Sequence, residues 1–354
     1  MIRRNMLRTF SGLLIFLLWA GAAQAEERGE GIRQFTVNDF TVYPIEDRET
    51  LMPAGLFSGP LSEKEKLAYM PGGQAPASVN VFLVRGSVGN WLIDAGWGRS
   101  DQGQEVLSGR LKQAGLSPDE IDLVILTHMH PDHIGGLLKG REPAFAKARV
   151  LLSRPELDYW AGLSRPKAVR EAPAAAQESA APEEGPADSE SDRERPAGEL
   201  PVAPSASADQ PEDGFDQPPA VAPGDLPGAV IEAYGQRLAT FDFGQEILPG
   251  LTALAAVGHT PGHTVFLMES GAEKLLFIGD LIHAAALQFP RPDESASYDQ
   301  DPLKAVQSRK MILKMAAEEK IPVAGAHIPF PGTGSVSQDG SGGFAFAPIT
   351  GKRN

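Results

Sequence analysis

The sequence predicts a layered α/β sandwich made of two similar halves, with a disordered acidic insertion in one surface loop. The first observation is the order of the elements, because strand-like segments followed by a helical segment occur twice along the chain. The second is the composition of residues 171–226, which hold ten of the 30 prolines and a single aromatic residue, Phe215. Such a segment buries too little apolar surface to offset its ordering entropy.

The first half is predicted from short alternating and helical segments. Residues 33–46 alternate like strands, and residues 61–70 have the spacing of a short helix. Residues 79–96 are typical of two strands around a glycine-containing turn. The remaining elements are a helix over 101–115, strands over 121–126 and 148–153, and a helix that begins near Pro155.

The second half repeats this pattern. Residues 240–280 contain four strand-like segments, TFDFGQEIL, LTALAAV, TVFLMES and KLLFIGD. An amphipathic helix over 301–320 and a last strand over 321–327 follow. The residues expected on the buried side of that helix are Leu303, Val306, Met311, Leu313 and Met315.

Residues 1–25 are predicted to be a secretory signal peptide. MIRRNMLR is basic, SGLLIFLLWAG is apolar, and AAQA supplies small residues before Glu26. The apolar run is short for a membrane span. We therefore expect cleavage after Ala25, a periplasmic or secreted protein and no stable membrane anchor; an uncleaved anchor is the alternative. Residues 26–354 then form a single domain that is interrupted by the insertion at 171–226.

The net charge of −14 is concentrated in the insertion. Residues 171–226 contain 14 Asp and Glu against two Arg, and the signal peptide carries three Arg, so that about −5 remains for the rest of the chain. The body has no basic stripe for a nucleic-acid backbone. We expect a small-molecule substrate and no nucleic-acid partner, and the sequence allows a homodimer. The insertion could also be a linker between domains, but the histidine segments on both sides of it point to one shared site.

All seven histidines lie in four short segments, each at the end of a predicted strand. The first is THMHPDH, in which His128 and His130 are two residues apart in an extended run and so point to one face. Pro131 can open a helix, and this places Asp132 and His133 in its first turn. Four potential ligands within six residues indicate a metal site.

The other three segments add donors at further strand ends. GHTPGHT contributes His259 or His263, and the spacing alone does not choose between them. In FIGD a buried apolar strand ends in a lone carboxylate, Asp280, which a cation would compensate. GAHIPF contributes His327. The chain has no cysteine, so any metal must be held by nitrogen and oxygen.

The motifs THMHPDH, GHTPGH, IGD and GAH, in this order, resemble those of the metallo-β-lactamase superfamily. FIGDLIHAAALQFPRPD and AGAHIPFPGTG are similar to the methyl parathion hydrolase branch of secreted dinuclear metallohydrolases. The resemblance implies a four-layer αβ/βα sandwich, a hydrolase domain over 26–354, and two divalent metals. The implied ligands are His128, His130 and His259 for one metal and Asp132, His133 and His327 for the other, with Asp280 and a hydroxide between them. It also implies that His263 and Asp94 brace the ligands from behind.

This resemblance leads us to expect an exported metal-dependent hydrolase that acts on esters, lactones or organophosphate triesters. The bridging hydroxide would attack, and Asp132, the expected catalytic residue, would orient it and accept its proton. Zinc suits the ligand set, and iron, manganese or cobalt also fit. The substrate-pocket candidates are Trp160, His283, Tyr298, Phe289 and Trp97.

Two alternatives remain open at this point. A β-lactamase or a thioester hydrolase of the glyoxalase II kind could use the same scaffold, and nitrocefin and a glutathione thioester would discriminate these. A non-catalytic metal-binding or interaction protein could use the acidic insertion as its working part. In that case deletion of 172–225 would abolish function, whereas we expect that the deletion variant folds and keeps metal and that His130→Ala loses activity by orders of magnitude.

Overall fold

The computed structural model describes residues 26–98, 106–164 and 221–349. The predicted signal peptide over 1–25 and most of the predicted insertion over 171–226 lie outside the described residues. The strands in chain order are β1 (Glu26–Gly29), β2 (Ile32–Val37), β3 (Phe40–Pro53), β4 (Phe57–Ser58), β5 (Gln74–Gly86), β6 (Gly89–Ile93), β7 (Leu123–Ile125), β8 (Leu138–Lys139), β9 (Glu142–Pro143), β10 (Arg149–Ser153), β11 (Leu238–Phe241), β12 (Glu246–Leu248), β13 (Leu251–Ala255), β14 (Thr264–Ser270), β15 (Glu273–Gly279), β16 (Ser295–Ala296), β17 (Val323–Gly325), β18 (Thr333–Gln338) and β19 (Phe344–Pro348). The α-helices are α1 (Glu63–Tyr69), α2 (Val106–Gln113), α3 (Pro131–Ile134), α4 (Arg154–Ser164), α5 (Leu226–Tyr234), α6 (Ala285–Gln288) and α7 (Pro302–Glu319).

Two large sheets form the centre of the described residues. The first has the order β1-β2-β3-β5-β6-β7-β10-β11 and the second the order β12-β13-β14-β15-β17-β18-β19. Pairing is parallel among β6, β7, β10 and β11, and between β15 and β17. Parallel neighbours place their carboxyl ends at the same edge of each sheet, which is where the predicted ligand segments begin.

Three hydrophobic clusters define four layers. One cluster lies between the sheets and contains Phe82 and Trp91 from the first sheet and Phe266 and Phe277 from the second. A second cluster packs α2 and α5 on the outer face of the first sheet, and a third packs α7 on the outer face of the second. The predicted αβ/βα sandwich is therefore confirmed.

Several element predictions need correction. TFDFGQEIL is not one strand: β11 belongs to the first sheet and β12 to the second, with Gly244 in the left-handed region (φ 83°) between them. The sequence reasoning also missed α5, β18 and β19. Residues 221–226 of the predicted insertion are described, and α5 begins at Leu226.

The buried side of α7 is also different from the prediction. Leu313 is buried as expected, but Leu303 is 77% and Met311 56% exposed. The helix turns small residues and Arg309 toward the second sheet, and the guanidinium of Arg309 donates to the carbonyl oxygen of Leu281 at 2.7 Å. The buried face of this helix therefore combines the apolar side chains of Ile312 and Leu313 with a hydrogen-bonded cation, Arg309.

Among the described residues, the helices include none that combines the length and apolar character needed to cross a membrane.

Candidate metal centre

The donors of the centre are delivered by loops that follow strand ends in both sheets. Residues 127–133 follow β7, and His259 lies in the loop after β13. Asp280 and His327 follow β15 and β17 directly or within two residues. Because these ends lie at one edge of the sandwich, residues up to 199 positions apart meet in a single site.

Close backbone packing sets the position of the THMHPDH loop. A Cβ added at Gly135 or Gly136 would overlap the carbonyl oxygens of Trp97 and Ala95, so glycine is required for this approach. The loop at Trp97 is fixed in turn by Asp47, whose carboxylate accepts the Trp97 N–H at 2.8 Å. The register of β3 shifts around Asp47, and this irregularity places the carboxylate there.

His128, His130 and His259 converge with Asp280 to form what we call the first donor group. Nδ1 of His130 lies 2.9 Å from Nε2 of His128 and 2.9 Å from Nε2 of His259. Oδ2 of Asp280 lies 3.2 Å from Nε2 of His259 and 3.7 Å from Nε2 of His128. The four donor atoms lie within 4.8 Å of one another.

Asp132, His133 and His327 converge with the same Asp280 to form the second donor group. Nε2 of His133 lies 2.9 Å from Oδ1 of Asp280. Nε2 of His327 lies 3.2 Å from Oδ2 of Asp132 and 3.2 Å from Oδ2 of Asp280. Asp280 is therefore common to both groups, and each group combines residues from both halves of the chain.

The hydrogen bonds behind the imidazoles show that these residues fit metal ions. In four of the five, Nδ1 is paired with an oxygen, and this assigns the proton to Nδ1 and a lone pair to the inward-facing Nε2. The pairs are His128 with Thr127 Oγ1, His133 with Asp94 Oδ2, His259 with Asp299 Oδ1, and His327 with the carbonyl oxygen of Ser78. An inward-facing lone pair repels the carboxylate unless a cation, either a proton or a metal ion, lies between them. Nitrogen and oxygen donors in this number suit zinc and related divalent ions.

The pKa values of the histidines follow from the same arrangement. Burial lowers the pKa of His259, but the carboxylates that it contacts, Asp280 among them, outweigh this and raise the pKa to about 9. The same balance raises the pKa of His327 to about 10 and holds that of His133 well above its usual value. Burial and the neighbouring His259 instead lower the pKa of His130 to about 3. In the metal-free protein His259, His327 and His133 are therefore positively charged at neutral pH, with a proton on both ring nitrogens.

Metal binding is expected to release these protons. At about pH 7.5, Zn²⁺ must displace a proton from each of His133, His259 and His327, because a metal ligand must present its lone pair. Isothermal titration calorimetry of the metal-free protein in two buffers of different ionisation enthalpy measures this release. The apparent affinity should rise with pH until the pH passes about 10, the pKa of His327. Metal uptake without proton release would contradict the assignment.

Three buried charged residues around the centre were missed from the sequence. Asp299 accepts the Nδ1–H of His259 at 2.9 Å and the backbone N–H of Ala296 at 2.9 Å. The fully buried Arg309 lies 3.5 Å from Asp299 and holds it in place. Glu156 is buried, and its carboxylate accepts hydrogen bonds from Thr260 and Trp160. The sequence held one signal for these residues, because Arg309 has the helical spacing of the buried residues of α7 although it is charged.

The two residues expected to brace the ligands lie directly behind them. Asp94 accepts hydrogen bonds from the Thr127 N–H and hydroxyl, both at 2.8 Å, and pairs with His133. His263 accepts the backbone N–H of Asp280 at 3.0 Å through Nε2 and has Nδ1 3.0 Å from the carbonyl oxygen of Ala256. Both ring nitrogens of His263 thus have backbone partners, whereas Nε2 of His259 points into the centre. Of the two histidines in GHTPGH, His259 is therefore the candidate ligand.

Four of the five substrate-pocket candidates lie near the donor groups or beside the THMHPDH loop. Trp160 lies with its ring 5.8 Å from that of His130, and Tyr298 lies 5.9 Å from His283. His283 is buried, with Nε2 3.2 Å from Oδ2 of Asp280. Trp97 is half-buried beside the THMHPDH loop.

Phe289 was a wrong choice as a pocket residue. It is 1% exposed in the cluster behind the second sheet and stacks on Phe346 with ring centroids 4.7 Å apart. Its aromatic ring serves core packing, and proximity to Asp280 in the sequence does not bring it to the site.

Comparisons with known proteins agree with this geometry. A family model described as the metallo-beta-lactamase superfamily matches residues 75–324. The crystal structure of the hydrolase AbOPH in the beta lactamase superfamily has 25% identity and a TM-score of 0.68, and the match covers 92% of this chain and 100% of that chain. AidC, a dizinc quorum-quenching lactonase, has 24% identity and a TM-score of 0.66, with coverage of 90% and 97%.

A probable metal-dependent hydrolase from Staphylococcus aureus has 18% identity and a TM-score of 0.62, with coverage of 88% and 98%. The likeness to this protein and to AidC concerns the fold alone. A search of curated protein sequences found no match.

Proposed function

Because the chain belongs to the metallo-beta-lactamase superfamily, we propose that it hydrolyses uncharged lactones and esters, including aryl esters and organophosphate triesters. The family match and the similarity to solved hydrolases make it a metal-dependent hydrolase. The proposal adds the substrate class, two zinc ions as the metals, and the role of each ligand. The resemblance of FIGDLIHAAALQFPRPD to the methyl parathion hydrolase branch supports this choice of substrate class.

The two donor groups would hold one metal each. His128, His130 and His259 would hold the first, the remaining members Asp132, His133 and His327 would hold the second, and Asp280 would contact both. When bound, such metals supply a Lewis acid for a C=O or P=O oxygen and lower the pKa of water to about 7. The side chains of the protein then position the substrate and move the proton.

Asp132 is the carboxylate that faces the substrate. Its side chain is 23% exposed, whereas those of Asp280 and His133 are 3% and 1% exposed. Asp132 thus lies at the open side of the centre, where it orients the attacking water and accepts its proton. No serine or cysteine nucleophile is required, and the chain contains no cysteine.

The observation that carries the proposal is the aromatic side chain at the open side of the centre. The indole of Trp160 meets His130 edge to face at 82°, and its N–H is held by Glu156 at 2.7 Å. A second ring, that of Tyr298, lies next to His283 with ring centroids 5.9 Å apart. An aromatic ring that is held in one orientation, as that of Trp160 is, offers an apolar face to acyl and aryl groups. The name of one similar structure, a hydrolase in the beta lactamase superfamily, supports hydrolytic chemistry.

A substrate panel tests the proposal. We expect the zinc-loaded protein to hydrolyse p-nitrophenyl esters, lactones or methyl paraoxon, and to lose this activity on chelation and regain it with added metal. Nitrocefin and a glutathione thioester serve as comparison substrates for the β-lactamase and thioesterase alternatives. Faster turnover of either comparison substrate, or no metal-dependent turnover of the ester, lactone and triester set, would overturn the assignment.

A further inference from the structure

Glu156 is a buried carboxylate that lies beside the candidate metal centre and belongs to none of the donor groups found among the described residues. It is 0% exposed and lies in the first turn of α4. A carboxylate in this position is costly unless hydrogen-bond donors surround it. The identity of these donors indicates what Glu156 does.

Four donors fill both oxygens of the carboxylate. Oε1 accepts the backbone N–H of Met129 at 2.8 Å and the indole N–H of Trp160 at 2.7 Å. Oε2 accepts the hydroxyl of Thr260 at 2.6 Å and the backbone N–H of Gly262 at 3.0 Å. Because both oxygens are occupied by donors, Glu156 is placed to hold its neighbours and not to bind a metal.

The four donors belong to three parts of the site, because Thr260 and Gly262 lie in the same loop. Met129 stands between the ligands His128 and His130, and Thr260 follows the ligand His259. Trp160 is the aromatic side chain that lies beside His130. A single side chain therefore connects the histidine loops of the two halves of the chain with the surface that would receive the substrate.

The loop of the second half is seated closely against this carboxylate. The hydroxyl of Ser153 donates to the carbonyl oxygen of Gly262 at 2.7 Å and accepts the backbone N–H of Glu156 at 3.3 Å. A Cβ added at Gly262 would overlap the backbone nitrogen of Glu156, so glycine is needed for this approach. The backbone on both sides is thus fixed at the position where the carboxylate acts.

We propose that Glu156 is a positioning residue that aligns the first donor group, His128, His130 and His259, for metal binding and holds Trp160 at the substrate side. Only an ionised carboxylate offers two acceptor oxygens to four donors, because glutamine replaces one oxygen by a donor. The part that concerns Trp160 rests on the proposed function, whereas the part that concerns metal affinity does not.

The variant Glu156→Gln tests the part of the proposal that concerns metal affinity. If the amide oxygen faces Met129 and Trp160, its NH₂ group faces the N–H of Gly262 and loosens the loop that carries His259. Titration of the metal-free protein with Co²⁺, followed by visible absorption, should show one of the two equivalents bound about 10- to 100-fold more weakly, as for other residues that orient ligands. The other equivalent should keep its affinity.

Three further variants complete the experiment. Glu246→Gln removes an exposed carboxylate that accepts the Gly250 N–H at 2.7 Å, and it should leave both Co²⁺ affinities unchanged. Thr260→Val removes one donor in a residue of similar volume and should weaken the same equivalent by less. Trp160→Phe removes the indole N–H, and it should raise KM for the aryl ester while kcat and metal affinity are kept.

Specific outcomes would overturn the proposal. Glu156→Gln with wild-type affinity for both Co²⁺ equivalents would remove its basis, and equal weakening of both, together with a lower melting temperature of the metal-free protein, would indicate a general structural role. If Glu156→Gln does not fold, an unchanged Co²⁺ titration of Thr260→Val overturns it. The Co²⁺ titrations need no substrate, so failure of the substrate panel leaves this test intact.

Discussion

Replacing Asp280 by alanine is expected to lower kcat/KM by about a thousandfold and to reduce the bound metal below two equivalents. Asp280 is the one residue shared by both donor groups and is 3% exposed, so water cannot readily replace its oxygens. Loss of metal-based stabilisation amounts to several kcal/mol, and about 4 kcal/mol corresponds to a thousandfold in rate. Steady-state kinetics on the best substrate of the panel and elemental analysis of the purified variant measure the two effects.

Asp242→Ala is the matched control for Asp280→Ala. Its carboxylate is 61% exposed and pairs with Arg154 at 3.3 Å on the surface. Such a pair contributes at most about 1 kcal/mol, so activity and metal content should stay near those of the wild type. An Asp280→Ala protein that binds two metals and turns over like the Asp242→Ala control would show that Asp280 is not a ligand.

The substitution Gly258→Ala is expected to destabilise the protein by about 3 kcal/mol or more. Gly258 has φ 129°, a conformation that side chains rarely adopt, and an added Cβ would overlap the backbone nitrogen of Ala305 in α7. Backbone strain and overpacking each cost about 1–3 kcal/mol. The carbonyl oxygen of Gly258 accepts the Asp301 N–H at 2.8 Å, so a shift there also moves the start of α7 and the adjacent His259. Urea denaturation of the metal-free protein measures the change in unfolding free energy.

Gly109→Ala is expected to change the unfolding free energy in the opposite direction. Gly109 lies inside α2, and an added Cβ would meet no atom within 4 Å. Alanine there should stabilise the protein by about 0.5–1 kcal/mol because it reduces the freedom of the unfolded chain. If the two glycine variants unfold at the same urea concentration, the close contact between Gly258 and α7 is not a feature of the folded protein.

The sequence allowed the prediction of those parts that local patterns encode. The H-x-H-x-D-H spacing and the lone Asp280 at the end of an apolar strand pointed to the centre, because strand geometry fixes where such side chains point. The four-layer sandwich could be expected for the same reason, from the order of strands and helices. Phe289, in contrast, follows Asp280 closely in the sequence but turns into the core, since chain proximity does not fix side-chain direction.

The site residues that the sequence did not reveal are defined by partners far away along the chain. Glu156 is recognised as a site residue only through donors at positions 129, 160, 260 and 262. Asp299 is recognised only through His259 and the buried Arg309. A charged residue in a helix or loop is usually solvated, and only the packed structure shows which ones have lost water and gained partners. The division of β11 and β12 between two sheets has the same origin.

The sharing of each donor group between the two halves of the chain makes metal binding and folding one linked equilibrium. An ion held by residues near 130 and by residues beyond 258 would be released when the halves separate, so it would act as a reversible cross-link in a chain without cysteine. Its contribution grows with free metal, to about 4 kcal/mol per site at a thousand times the dissociation constant. The lifetime of the folded protein would then follow the metal supply of its surroundings, and scarcity would remove the enzyme as well as its activity.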